Sequence, residues 1–105
     1  MDKSLLTKAR LAEEDVELPG VGTVRVRALS RAEAMKVTDR ELPVARMEQV
    51  LLSMAMVDPV MSEADVAEWQ TAAPGGELEP VVEVIQRLSG LEKKAAKSGV
   101  PAPGE

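Results

Sequence analysis

Two rhythms of apolar residues run along this chain. Between Val16 and Arg27 apolar positions alternate with charged ones: Val16 and Leu18 flank Glu17, and Val24 and Val26 flank Arg25. A period of two belongs to a strand with one dry and one wet face. Pro19-Gly20 between the two runs fits the centre of a type II turn, whose second residue needs positive φ, and Gly22 adds a further kink. The pattern predicts a β-hairpin over about residues 15–29, with a loop of four or five residues and Glu17 facing Arg25 or Arg27. A lone hairpin is unstable in water, so it must lie on helices or join a larger sheet.

Elsewhere the steps are three and four residues, the period of a helix with one buried face. Leu5, Leu6, Ala9 and Ala12 suggest a short helix over Asp2–Ala12, which is marginal without packing. Ser30 and Glu33 stand at capping-box spacing and open a helix expected to reach about Arg40. Val44, Met47, Val50, Leu51, Met54 and Val57 form the strongest stripe, that of a central core helix stopped by Asp58-Pro59. Ser62 and Asp65 open another helix, with Val66, Trp69 and Ala73 along one edge and Pro74-Gly75-Gly76 at its end. Leu78, Val81, Val82, Ile85 and Leu88 form the buried face of the last, with Gly90 placed as its terminating glycine. The expected fold is α+β and mainly α: a short N-terminal helix and a hairpin, followed by a small bundle of about four helices. Residues 1–97 are expected to form one compact domain and residues 98–105 a disordered tail.

Composition sharpens this. One aromatic residue in 105, Trp69, leaves a core of Val, Leu, Met and Ala, with the indole expected to fill the junction between the Met47–Met54 and Leu78–Leu88 helices. The six methionines suit either gap-filling in the core or an adaptable contact surface. A formal net charge of −5, with basic residues scattered, argues against phosphate backbones as partners. With no cysteine and no histidine, disulfides, thiol catalysis and His-based triads or metal sites are excluded. The charged stretch Met1–Asp15 has no signal-peptide core, and no apolar run is long enough to span a membrane.

No constellation for chemistry emerges. Gly75-Gly76 follows a helix and precedes Glu77 and Glu79, the wrong context and charge for a phosphate loop. Glu13, Glu14 and Asp15 read as a solvated run, and the acids near Trp69 as capping and solubility. No EF-hand spacing is present. The expectation is a non-enzymatic interaction protein without cofactor or metal.

The order of segments adds a resemblance. "VELPGVGTVRVRALSRAEAMKV", then a helix, then "MVDPVMSEADVAEWQTAAPGGELEPVVEVIQRLSGL" resembles the tail assembly chaperones of long-tailed bacteriophages and prophages, the XkdN-like group in particular. The likeness runs from about Leu5 to Lys97: a helical leader and hairpin followed by "VRVRxLS", a "VDP" junction into a Trp-bearing helix, and a "LEPVVxxIxxLSGL" helix. Val21 departs from it, standing where the group often has Trp before the hairpin glycine. The resemblance implies a chaperone of the host cytoplasm that coats the helical tape-measure protein, gives way to arriving tail tube subunits, and is missing from the mature virion. A longer form made by ribosomal frameshifting is common in the group. The implied partners are the tape-measure protein and the tail tube protein, with self-association open as well, and neither nucleic acid nor membrane. Met47, Met54, Met56 and Met61 are the candidate contact residues, with Met56 expected to face outward, and Trp69, Gly20 and Gly90 serve structure. The competing class is a structural virion component, such as a tail-completion or head–tail connector protein. A helix-turn-helix regulator ranks last, because the most basic helix also carries Glu33 and Asp39.

Overall fold

The computed structural model describes residues 1–38 and 41–91. The fold is α+β: helix α1 (Ser4–Thr7), strands β1 (Glu13–Leu18) and β2 (Gly22–Arg27), helices α2 (Arg31–Thr38) and α3 (Val44–Ala55), strand β3 (Met56–Asp58), and helices α4 (Glu63–Ala72) and α5 (Glu79–Leu88). The three strands form one antiparallel sheet in the order β1-β2-β3. Helix α5 lies across β1 and β2, while α3 touches α2, α4 and α5.

The alternation of the hairpin sets its faces. Val16, Leu18, Val24 and Val26 are buried under the helices, and Glu13, Asp15, Glu17, Thr23 and Arg25 form the wet side. The loop is tighter than expected, since Leu18 already pairs with Gly22. The Val21 N–H closes the turn on the Leu18 carbonyl at 3.0 Å, with Gly20 at φ 80°. That register places Glu17 opposite Thr23, not opposite an arginine. Arg25 instead bonds Glu13 at 2.7 Å and Asp15 at 2.8 Å.

β3 departs from the expected helix. The stripe from Val44 to Val57 does not continue as one helix: α3 ends at Ala55, and Met56 turns extended at φ −73°, ψ 120° to pair with Val26. Met56 lies four residues after the buried Leu52 and also opposite a buried strand residue, so it points inward in either conformation. Burial of Met56 therefore does not choose between helix and strand, and the stripe as read passed over the buried Leu52 and Ala55 and so set Met56 outward. The Asp58-Pro59 step, which disfavours helix just before it, is the local signal that decides. Met56, expected to be the outward methionine, is buried.

The expected first helix shrinks to Ser4–Thr7, all exposed, because none of the described residues covers Leu5 and Leu6. The capping boxes form as read: Ser30 with Glu33 and Ser62 with Asp65. The expected end of the second helix at Arg40 and the tail beyond Leu91 lie outside the described residues.

Two side chains fasten α5 in place. Ser89 Oγ accepts the Leu29 N–H at 2.8 Å and donates to the Ile85 carbonyl at 2.6 Å, tying the exit of β2 to the helix end. Arg87 reaches Glu14 of β1 at 2.7 Å. Past Ser89, Gly90 adopts φ 74°, its N–H bonds the Arg87 carbonyl, and the Leu91 N–H bonds the Gln86 carbonyl. This double closure needs a left-handed residue. A β-carbon added at Gly90 would meet nothing within 4 Å among the described residues, so Gly90→Ala should cost about 1 kcal/mol, all of it conformational. Chemical denaturation checks it: a neutral or stabilising result would show that this terminus does not hold.

Candidate functional site

Among the described residues, two apolar depressions stand out on the surface. The first is a hollow of about 180 Å³ beside the hairpin turn, lined by Leu18, Val21, Val24, Met56, Pro59, Met61 and Trp69. β1 and β2 supply its floor, β3 and the following cis Asp58-Pro59 step one wall, and α4 the other. Val21 stands at its lip, 69% exposed.

Trp69 does not fill a sealed junction as expected. It is half-buried, because α4 packs on α3 while its indole edge turns toward the hairpin. The indole N–H donates to Glu77 at 2.9 Å, in the turn before α5. One face of the ring therefore meets the core and its polar edge is satisfied, the usual placing of Trp at a contact surface.

The second depression is a groove between α3 and α5, reaching the end of α2. Val37, Val44, Met47, Leu51, Val82 and Gln86 line about 190 Å³, with Glu48 at the side. Past Val44 and Glu48 it widens into a shallower basin of about 490 Å³ beside Pro74, Gly75 and Glu79. Val44 is 81% exposed, although its place in the apolar stripe suggested burial. It sits in the first turn of α3, ahead of the point where other helices cover that face. Gln70 secures the wall, donating to Glu48 at 2.8 Å and to the Ala45 carbonyl at 3.1 Å while accepting from Gln49 at 2.9 Å.

The four candidate methionines do not form one patch. Met61 and the buried Met56 belong to the hollow, Met47 to the groove, and Met54 rests half-buried against the core. Sequence reasoning missed Val21, Val24, Val37 and Val82 as lining residues. Their signal was faint: an apolar residue in a turn or at the margin of a stripe reads as loop or core until the neighbours are placed.

Among the described residues no three Asp or Glu side chains are grouped to hold a metal ion. No helix among them is long and apolar enough to cross a membrane. The carboxyl of Glu33 is pushed down to about 2, chiefly by hydrogen bonds from Arg27, and it lies at the start of α2, outside both depressions. Comparison with known protein families, curated proteins and solved structures gives no match.

Proposed function

We propose that this protein is a non-enzymatic tail assembly chaperone, which holds apolar helical segments of a tape-measure protein in solution until the tail tube forms. The proposal combines the resemblance in segment order with the hollow at the hairpin turn, the observation that carries it. Leu18, Val24, Met56, Met61 and Trp69 offer an almost wholly apolar surface that includes two soft, sulfur-bearing side chains and an indole. Such surfaces accept apolar residues of varied shape. Val21, where the resembling group often carries Trp, stands at the lip of this same hollow. The chaperone acts in the bacterial host cytoplasm and leaves before the virion is complete.

Co-expression with the tape-measure protein of the same virus tests this. The chaperone should raise its soluble yield and co-purify with it. Val21→Asp puts a charge at an exposed lip position and should weaken co-purification about tenfold while the fold stays intact. Trp69 is the only aromatic residue, so binding a Trp-free helical segment should shift its emission to the blue. Failure to co-purify, together with stoichiometric presence in finished particles, would move the protein to the structural virion class.

A further inference from the structure

The groove between α3 and α5 and the N-terminal arm complement each other. Two carboxylates, Glu48 and Glu79, border the groove and its basin, and among the described residues no lysine or arginine lines either. Among the described residues neither carboxylate is paired with a cation. The arm is the opposite. Every residue of Met1–Arg10 is exposed, and Leu5 and Leu6 stand 58% and 59% open. Its charges are Lys3, Lys8 and Arg10 against Asp2, in a chain whose net charge is −5.

The arm carries its own local structure. Asp2 accepts the Ser4 N–H at 3.1 Å, which also lowers the Asp2 pKa, and Arg10 donates to the Leu5 carbonyl at 3.2 Å. These bonds shape it into a short turn with two leucines side by side. The arm lies beside Ser30 and Arg31 at one end of α2, whereas its own groove opens at Val37 near the other end.

We propose that the groove is an interface between copies of this chain, in which the arm of a second copy inserts Leu5 and Leu6 against Val44, Met47 and Val82. Lys3 and Lys8 of the inserted arm then lie beside Glu48 and Glu79. Reciprocal exchange of arms closes the assembly as a two-fold dimer, with both grooves filled and no open end left to polymerise. Apolar burial supplies the affinity and the charges set the direction of the arm.

Sedimentation of the full-length chain over a range of concentrations tests this. A reversible dimer is expected, weakening as salt rises. The Leu5→Ser, Leu6→Ser double variant and, separately, Val44→Asp should each weaken dimerisation about tenfold or more, since both strip or charge the apolar contact. All three positions are exposed in the single chain, so circular dichroism and melting of the monomer should not change. Lys3→Glu with Lys8→Glu should weaken the dimer, Glu48→Lys with Glu79→Lys should do the same, and an equimolar mixture of the two variants should recover association as a heterodimer. A chain that stays monomeric at every concentration overturns the proposal. So does a dimer that the arm variant leaves unchanged, or a mixture that fails to recover. Val21→Asp, at the separate hollow, should leave the dimer intact, so this test and that of tape-measure binding fail independently.

Discussion

Leu52→Ala is expected to lower the free energy of unfolding by about 3–4 kcal/mol, within the range for deleting a buried leucine. Leu52 is 0% exposed and sits in α3, the helix that meets α2, α4 and α5. The cost has two parts: the lost transfer energy of the removed carbons and the cavity left behind. The cavity should stay open, because the other large fully buried side chains, Val26, Val66, Val81 and Ile85, are fixed on other elements of the fold and all four are stiff and β-branched. No large aromatic lies within the buried core to swing into the gap. A small domain with a stability of about 5–15 kcal/mol would lose a large share of it. Urea denaturation reads the effect as a lower midpoint at unchanged slope. Val44→Ala, on the same helix but exposed in the single chain, is the control and should stay within about 0.5 kcal/mol when both are measured at a concentration that keeps the chain monomeric. A Leu52→Ala loss no larger than that of the control would mean the core does not centre on α3.

The same contrast shows what the sequence could convey. The stripe as read took in Val44 and passed over Leu52, yet Leu52 is buried and Val44 is exposed. Burial depends on what faces each turn, and only the tertiary arrangement decides that. Where local chemistry is sufficient, the reading succeeds. Ser30-Glu33 and Ser62-Asp65 cap their helices, Gly90 ends α5 in the left-handed conformation, and Val16 to Val26 turn alternate side chains inward. The reading fails at Met56, which it set outside the helical stripe and facing outward, and which instead turns extended and is buried opposite Val26. The hollow was half legible. Trp69 and Met61 stand out by type, but Val21 and Val24 join them only because the hairpin folds back onto the α4 side of the molecule. The groove was less legible still, because Val37, Met47 and Val82 come from three helices separated in sequence.

Acidification should remove about 2–3 kcal/mol of stability through Glu33 alone, and Glu33→Gln should remove the same amount at neutral pH. The carboxylate is held by three donors. Arg27 gives it two parallel bonds, both at 2.8 Å, and the Ser30 N–H a third at 3.0 Å. The Arg27 bonds are the main cause, and with the help of the Ser30 amide they outweigh partial burial, lowering the pKa from 4.5 to about 2. With less than a quarter of each side chain of this pair exposed, solvent screens the interaction only in part. The folded state therefore binds the proton more weakly than the unfolded chain does. The stabilisation is fully present above about pH 4.5 and is lost as pH falls toward about 2. Other carboxylates titrate in the same region, so the useful quantity is the stability difference between the wild-type chain and Glu33→Gln. That difference should be largest at pH 7, shrink between about pH 4.5 and about pH 2, and approach zero below it, where wild-type Glu33 is itself neutral. Urea titrations of both chains at a series of pH values measure it. A difference that stays constant through acid would show that Glu33 contributes by packing and neutral hydrogen bonds, and that its charge does not hold β2 to the start of α2.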